Sequence, residues 1–183
     1  MNELPDDSNL LQQFRSEATR QAAFRSIIQK YQKRIYWHIR KMVIDHDDAD
    51  DLTQDTFIKA WSALENFRSD SGLFTWLYRI ATNETLSFLR KKKTRNQVSL
   101  DNEEFDLSPV LKASTYFDGD KLQMKLQLAI LTLPEKQRLV FNMKYFDNLK
   151  YEEMAQILDT SVGALKASYH HAVKKIETYF AAN

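Results

Sequence analysis

The chain has 183 residues, of which 43% are hydrophobic and 28% are charged, with a formal net charge of +1. This length and balance predict a globular protein of one ordinary domain or two small ones, and they exclude a disordered chain. The chain has three glycines and three prolines, against roughly twenty of the two together at average usage. Because a many-stranded fold needs such turn residues, the sequence predicts an all-α protein.

The sequence also excludes several kinds of cysteine chemistry and indicates where the protein is located. Since the chain contains no cysteine, a disulfide framework, a thiolate metal site and a cysteine nucleophile are all excluded. No phosphate-cradling glycine loop and no catalytic constellation is visible, so we expect no cofactor, no metal site and no enzymatic activity. The start, MNELPDDSN, lacks the features of a secretory leader. The longest aliphatic run, 128–131, is far shorter than a spanning helix. We therefore expect a cytoplasmic protein without membrane insertion.

Three helices are predicted in the first half of the chain. Apolar residues recur every three or four positions from 20 to 43, which predicts one long helix. The acids from Asp45 to Asp48 favour the start of a second helix, because carboxylates stabilise a helix N-terminus. A turn at 68–72 precedes a third helix from about 73 to 91. Residues 1–19 fit either a short helix or a frayed end. The buried faces are predicted to contain Phe24, Ile27, Ile28, Tyr31, Ile35, Ile39, Met42, Leu52, Phe57, Ala60, Trp61, Leu64, Phe74, Leu77, Ala81 and Phe88.

An acidic segment separates this first domain, 1–92, from a second one. The apolar period disappears after Thr94, and residues 96–118 contain five acids and one lysine. This composition predicts a flexible acidic linker over 93–118. The second domain, 119–183, begins with a helix that Pro134 ends, and the same proline can open the next helix. Two further helices are predicted at 150–158 and 161–180. Leu139, Val140, Met143 and Phe146 are expected to face the core of this domain.

The segment YEEMAQILDTSVGALK, residues 151–166, has the layout of a helix-turn-helix. Asp159 stands at the turn, where a positive φ is needed, and Ser161 is expected to cap the second helix. The outward face of that helix is small near its start and cationic near its end, which suits a major groove. An ordinary helical hairpin is the alternative interpretation. The predicted DNA-facing residues are Ser161, Ala164, Lys166, Ala167, Ser168, His171, Lys174 and Lys175.

A second pattern follows in the segment FRSDSGLFTWLYRIATN, residues 67–83, and the five bases between 90 and 95. Arg79, Asn83 and Arg90 share one helical stripe directed away from the core, with Trp76 at its edge. Aromatic, amide and guanidinium groups supply the stacking surfaces and hydrogen bonds that unpaired bases need. The alternative is that Trp76 and Tyr78 complete a small core.

The acid-rich helix carries a third pattern. Asp48, Asp51, Asp55 and Ile58 share the side opposite the buried stripe of that helix. An exposed isoleucine among carboxylates predicts a docking face for a basic protein partner, whereas a solvated acidic face is the alternative. His38 falls beside a core face and is expected to be a packing residue.

These three features, in this order, resemble the extracytoplasmic-function group of bacterial RNA polymerase sigma factors over nearly the whole chain. The resemblance implies a non-enzymatic promoter-recognition subunit that binds RNA polymerase core, promoter DNA and an anti-sigma factor. By analogy the first domain docks on a coiled coil of the polymerase's largest subunit and captures the opened minus-ten element, while the second reads the minus-thirty-five element as duplex. The linker would lie in the polymerase's nucleic-acid channel. The implied docking residues are Asp48, Asp51, Gln54, Asp55 and Ile58. The implied minus-ten residues are Arg68, Ser69, Asp70, Ser71, Trp76, Arg79, Asn83, Arg90 and Lys91.

The chain departs from this family at two places. Asp159 stands where the family commonly has glycine, and Asp tolerates positive φ better than most residues. The run Ala167-Ser168-Tyr169-His170-His171 stands where the family often has two arginines, which predicts weaker, more A·T-tolerant reading of the upstream element. Two other classes of protein fit the sequence. One is an autonomous helix-turn-helix regulator with an N-terminal ligand-binding or dimerisation domain, and the other is a protein-binding helical adaptor.

Overall fold

The computed structural model describes residues 6–68, 70–98 and 121–182, and every regular element within these ranges is helical. The predicted all-α class is therefore confirmed. None of the described helices is both long enough and apolar enough to cross a membrane. The helices are α1 (Asp7–Arg15), α2 (Arg20–Val43), α3 (His46–Ala63), α4 (Leu73–Val98), α5 (Lys121–Leu131), α6 (Glu135–Tyr145), α7 (Tyr151–Leu158) and α8 (Val162–Ala182), with a 3₁₀ turn at Leu64–Asn66.

The N-terminal segment contains a short helix, α1, that packs on α2. Its apolar side chains Leu10 and Phe14 are buried. A polar anchor adds to this packing, because the Tyr31 hydroxyl donates to Asp7 at 2.6 Å and the Lys30 ammonium reaches the same carboxylate at 2.8 Å. Of the two possibilities for residues 1–19, the structure shows the helix, which closes one side of the first domain.

The break between α2 and α3 is a sharp turn. Ile44 adopts φ 66°, a left-handed conformation that is rare for a β-branched residue, and α2 ends at the residue before it. The Asp45 carboxylate then accepts the backbone N–H of Asp48 at 3.0 Å and caps α3. This confirms the predicted helix start, and it fixes the direction in which α3 presents its acidic face.

The second domain has the predicted helix-turn-helix. Asp159 has φ 49°, so it supplies the left-handed turn between α7 and α8. The Ser161 hydroxyl accepts the N–H of Ala164 at 3.2 Å and caps α8. Pro134 separates α5 from α6 as predicted, although it is the N-cap residue of α6 rather than its first helical residue. A small core binds α5, α6 and α8 together, and its members are Ala129, Ile130, Leu133, Phe141, Ala172 and Ile176.

One boundary differs from the sequence prediction. Helix α4 continues to Val98, whereas the sequence places its end near 91 and the end of the first domain at 92. Residues 93–98 are therefore helical, and Lys93, Arg95 and Gln97 among them are good helix formers even without an apolar stripe. The acidic residues of the predicted linker, Asp101 to Asp118, lie outside the described residues.

The two domains pack against each other. Helix α6 packs on α2, and α7 packs on α4. The largest hydrophobic cluster consequently contains residues of both domains: Leu139, Val140, Met143, Met154 and Ile157 join the side chains buried in the first domain. Phe146 does not face the core of the second domain as predicted. Its ring is 37% exposed and lies 5.3 Å from the Lys41 ammonium of the first domain, since the turn after α6 faces α2.

Candidate nucleic-acid and polymerase interfaces

The predicted recognition helix, α8, has one buried and one exposed side. Leu165, Ala172 and Ile176 face the interior. Ser168 is half-buried, and the other predicted DNA-facing residues are exposed, namely Ser161, Ala164, Lys166, Ala167, His171, Lys174 and Lys175. The structure thus presents to solvent a face of small side chains at the start of the helix and of cations further along.

A surface depression of about 460 Å³ lies on the cationic part of α8. His171, Lys174 and Lys175 line it, together with two residues that the sequence reasoning missed, Gln137 and Thr178. Gln137 stands on α6, and its side-chain oxygen is buried without a hydrogen-bond partner in the described part of the chain. The start of α6 at Pro134 is the sequence signal that fixes the position of Gln137 in the first turn of that helix. The depression combines amide, hydroxyl and cationic groups, which suits contacts to phosphate and to base edges.

Helix α4 places its predicted stripe in solvent. Arg79, Asn83 and Arg90 are exposed, and so is Lys91. Arg79 and Arg90 are eleven positions apart, so they lie about 16 Å apart along the helix axis, a length that covers several nucleotides. The opposite side of α4 is closed, as Leu77, Tyr78 and Ala81 are at most 1% exposed.

The two aromatic residues of this segment behave differently. Tyr78 is a core residue, which confirms the alternative interpretation for that side chain. Trp76 is half-buried, and its ring lies 5.1 Å from that of Phe67. It therefore combines packing with a partly accessible ring at the edge of the stripe.

The loop before α4 brings further predicted residues to the same end of the helix. Arg68 and Asp70 are exposed and Ser71 is half-buried, whereas Ser69 lies outside the described residues. The Gly72 carbonyl accepts the N–H of Trp76 at 3.0 Å, so the loop leads directly into the first turn of α4. The loop and the stripe consequently form one surface.

The acidic face of α3 contains four exposed members of the predicted set. Asp51, Gln54 and Asp55 are exposed, and Ile58 is 64% exposed. Asp48 differs from them, because its carboxylate is half-buried and accepts a hydrogen bond from the Lys92 ammonium at 2.6 Å. Asp48 thus ties α3 to α4.

Trp61 departs from the predicted buried stripe of α3, as it is 38% exposed. Its ring packs edge-on against Phe14 and Phe24, at centroid distances of 5.3 and 5.0 Å. The ring consequently covers the end of the core and remains partly exposed to solvent.

A buried polar centre joins the two domains, and the sequence reasoning missed it. Asp147, in the turn after α6, is only 8% exposed in its side chain and accepts a hydrogen bond from the Lys41 ammonium. His38 is fully buried as predicted, yet its Nδ1 lies 3.4 Å from the Asp147 carboxylate and its Nε2 lies 2.9 Å from the Thr82 hydroxyl. Since that hydroxyl donates to the Tyr78 carbonyl, it must accept from His38. The His38 ring therefore bridges Asp147 of the second domain and Thr82 of α4.

The electrostatics of this centre favour the ionised carboxylate. Burial alone would raise the pKa of Asp147, but the hydrogen bond and charge of His38, together with Lys41, hold that pKa below its ordinary value. Burial raises the pKa of Tyr78, and the charge of Asp147 and a hydrogen bond with it raise it further. No sequence signal could have found this centre, because Asp147 is separated from Lys41 by 106 positions and from His38 by 109.

Within 6–68, 70–98 and 121–182, no three His, Asp or Glu side chains are grouped as a metal ion requires.

The two halves of the chain each match a known family. Residues 27–95 match Sigma-70 region 2, and residues 123–176 match Sigma-70 region 4. The first span contains the acidic face of α3 and the stripe of α4, and the second contains the helix-turn-helix. Together the two regions define a sigma factor, a class of non-enzymatic transcription initiation factors.

The curated relatives narrow the class. The ECF RNA polymerase sigma-E factor of Escherichia coli (strain K12) is 31% identical over 165 residues, which cover 86% of this chain and 86% of the relative. The RNA polymerase sigma-H factor of Pseudomonas aeruginosa is 32% identical over 163 residues, covering 85% of this chain and 84% of the relative. The chain therefore belongs to the extracytoplasmic-function (ECF) RNA polymerase sigma factors, as its motifs indicate.

Solved structures share the fold. CnrH, in complex with the cytosolic domain of CnrY, superimposes with a TM-score of 0.71 at 24% identity, over 97% of this chain and 98% of that chain. The sigma factor RpoE of Bartonella quintana, in complex with the anti-sigma factor NepR, gives a TM-score of 0.69 at 23% identity, over 87% of this chain and 98% of that chain. At these identities the likeness shows the fold alone.

Proposed function

We propose that this sigma factor divides promoter recognition between its two domains, and that the residues described above make the contacts with promoter DNA and polymerase core. The observation that carries the proposal is the exposure of Arg79 and Asn83 on α4, opposite a closed apolar side. An exposed stripe of guanidinium and amide groups, with an accessible aromatic edge and a cationic end, has the chemistry of a surface for single-stranded nucleic acid.

The first domain captures unpaired bases of the minus-ten element. Extruding a base from the stack costs a few kcal/mol, whereas stacking one base on an aromatic side chain contributes about 1–3 kcal/mol. The contacts of Trp76, Arg79 and Asn83 with an unpaired base therefore offset the cost of extruding that base. These contacts form only when the strands are apart. Binding of this kind shifts the population towards the opened promoter. The residues Arg68 to Ser71 stand at the end of the stripe, where they are placed to hold an extruded base.

The second domain reads the minus-thirty-five element as duplex through α8. Its small residues Ala164 and Ala167 allow close approach to base edges and thymine methyl groups, and Lys174 and Lys175 reach phosphates. No arginine stands on this face of the helix, so guanine contributes less to recognition than it would to an arginine-bearing helix.

The acidic face of α3 docks on polymerase core. Ile58 supplies an apolar centre, and Asp51 and Asp55 supply charge around it, so the complementary surface is apolar with a basic rim. A helix of the coiled coil on the largest subunit is the proposed partner. Since polymerase and promoter are cytoplasmic, this is where the chain acts. The likeness to RpoE, which was solved with an anti-sigma factor, supports an anti-sigma partner for this chain as well.

Run-off transcription tests the proposal. Purified core polymerase with this chain is given a library of genomic fragments, and discrete transcripts are expected that core alone does not make. An autonomous helix-turn-helix regulator would instead bind duplex DNA tightly without core and start no transcripts, and a helical adaptor would do neither. Arg25→Ala, which removes an exposed cation from α2, is the matched control for Arg79→Ala. The control is expected to transcribe normally, whereas Arg79→Ala loses transcripts.

A further inference from the structure

A cavity of about 490 Å³ lies between α2 and the second domain. On one side it is lined by α2 and by Tyr78 of α4, and on the other by Gln127 of α5 with Phe146 and Asp147 of the turn after α6. A volume of this size lies within the range of pockets that hold small organic ligands. It also far exceeds the space of about 30 Å³ that one water molecule occupies, so it has room for a molecule much larger than a simple ion. We call it the α2 cavity.

The α2 side of this cavity is cationic. Four basic side chains of the helix line it, namely Lys33, Arg34, Arg40 and Lys41. Positions 33, 37, 40 and 41 recur at the three-and-four spacing of a single helix face, so helical geometry alone brings three of the four cations together. The opposite face of α2 contains Ile35, Ile39 and Met42, which are fully buried in the core. Helix α2 therefore divides its two faces between the core and the cavity.

The charges that line the α2 cavity are unbalanced. One carboxylate, that of Asp147, stands against the four cations, and it already accepts a hydrogen bond from the Lys41 ammonium. Among the described residues, no carboxylate lies within ion-pair distance of Lys33 or Arg34. The Arg34 guanidinium lies over the Phe74 ring at 3.9 Å, a contact that orients it. Like charges gathered at one site repel each other, and an anion placed between them relieves the repulsion.

The spacing of the cations suits several linked phosphates. Arg34 and Arg40 present planar guanidinium groups that bind two phosphate oxygens at once, and Lys33 supplies a point charge. From Lys33 to Arg40 the cations extend over about 10 Å of the helix axis, which favours a chain of phosphates over a single one.

Aromatic rings and an amide complete the lining. Trp37 stands among the cations on the same face of α2 and is half-buried, so it is partly accessible. The Tyr36 ring packs edge-on against Trp37 with ring centroids 5.1 Å apart, which helps to fix the orientation of the indole. Gln127 and Phe146 line the side of the second domain. A nucleic-acid base stacks on aromatic rings, and a glutamine amide both donates and accepts the hydrogen bonds that a base edge offers.

We propose that the α2 cavity binds a nucleoside polyphosphate, with the phosphates on Lys33, Arg34 and Arg40 and the base against Trp37. An acidic peptide would also pair with the cations, but its carboxylates alone make no use of Trp37 and Gln127. Because both domains line the cavity, the bound nucleotide stabilises the folded chain by mass action. None of these residues belongs to the promoter or polymerase contacts proposed above, so this site goes beyond the proposed function and does not depend on it.

Isothermal titration calorimetry of the full chain tests the site with four probes: ATP, GTP, adenosine and inorganic triphosphate. The better of the two nucleotides is expected to bind at least fivefold more tightly than inorganic triphosphate, because one stacked base contributes a factor of about five to a hundred in affinity. Adenosine, which lacks phosphates, is expected to bind too weakly to measure. The affinity for both nucleotides should fall as salt is raised, since the contacts with phosphate are ionic.

Two variants separate the phosphate and base contacts. Lys33→Gln with Arg34→Gln removes two cations and is expected to weaken the binding of nucleotide and of inorganic triphosphate at least tenfold. Trp37→Leu is expected to weaken nucleotide binding about fivefold to a hundredfold and to leave inorganic triphosphate within twofold, which also shows that the variant is folded. Arg15→Gln with Arg25→Gln removes two exposed cations of α1 and α2 that lie outside the cavity. This control is expected to bind every probe as the wild type does.

The melting temperature gives a second readout. Nucleotide at saturating concentration is expected to raise it in the wild type and in the control, but not in the variant that lacks Lys33 and Arg34. The proposal would be overturned if millimolar ATP and GTP gave no binding, if inorganic triphosphate bound as tightly as the better nucleotide, or if both cavity variants bound nucleotide like the wild type. A polyglutamate peptide that displaced the nucleotide at a lower concentration than the nucleotide itself would assign the cavity to an acidic protein partner and overturn it as well.

Discussion

Reversing two charges on α3 tests the docking face. The double substitution Asp51→Arg with Asp55→Arg changes two exposed carboxylates that stand one helical turn apart, and we expect it to weaken the binding of core polymerase while the fold stays intact. An exposed ion pair at an interface rim contributes up to about 1 kcal/mol, and reversal replaces that attraction with a repulsion of similar size.

The two positions together are thus expected to cost about 2–4 kcal/mol of binding free energy, which corresponds to a loss of affinity of roughly 30-fold to several hundredfold. Because the groups are exposed, the loss should shrink as salt is raised, with a Debye length of about 8 Å at physiological ionic strength. Fluorescence anisotropy of the labelled chain against core, measured at two salt concentrations, gives both numbers. Circular dichroism melting checks the fold.

A matched control separates this effect from net charge. Glu17→Arg with Glu177→Arg makes the same change in total charge at exposed positions of α8 and of the segment after α1. We expect this variant to bind core nearly as well as the wild type. If the α3 variant also bound normally, the assignment of α3 as the docking face would be refuted; if both variants lost affinity equally, the effect would belong to net charge and not to the site.

Three further predictions follow from single contacts. The pKa of Asp147 is held below its ordinary value, so its ionised carboxylate stabilises the packing of the second domain on the first above the ordinary carboxyl pKa, and this stability is lost as pH falls through the lowered pKa. Energy transfer between dyes on α2 and α8 of the unbound chain should therefore drop only in acid, below about pH 4. His38, Lys41 and Tyr78 are the groups that face Asp147, and a loss of transfer that began at neutral pH would contradict this reasoning. Asp159→Gly should raise the free energy of unfolding by up to about 1 kcal/mol, because glycine adopts φ 49° without strain, whereas Asp159→Ala should lower it. Urea denaturation measures both values, and equal effects of the two substitutions would refute the claim that the turn needs a left-handed residue at position 159. Asp48→Asn should lower the melting temperature slightly, since it breaks the half-exposed ion pair with Lys92 at a cost of up to about 1 kcal/mol. The affinity of this variant for core, measured by anisotropy, should stay within twofold of the wild-type value.

The local structure of this chain is readable from its sequence wherever short-range chemistry decides it. Asp45 and Ser161 cap their helices as predicted because a cap needs only the residues of one turn. Asp159 is identifiable at the turn for the same reason. The stripe of α4 and the face of α8 follow from helical periodicity, so their exposure is predictable once the helices are placed.

What the sequence could not supply is the partner of each apolar or charged side chain. Periodicity correctly shows that Leu139 and Met143 are buried, but it assigns them to the core of their own domain, whereas they pack in the cluster shared with the first domain. The pair of Asp48 with Lys92 and the pair of Asp147 with Lys41 join residues 44 and 106 positions apart. Such contacts depend on how whole helices pack, and no local pattern encodes them.

Mapping unpaired thymines in the complex with core tests the division of labour most directly. Permanganate oxidises thymines that have left the duplex, and nuclease protection of the same complex reports the upstream element. With Arg79→Ala and Asn83→Ala combined, we predict loss of permanganate reactivity at the minus-ten element with upstream protection retained. With Lys174→Ala and Lys175→Ala combined, we predict weakened upstream protection. Full permanganate reactivity in the Arg79 and Asn83 variant, at unchanged promoter occupancy, would contradict the account.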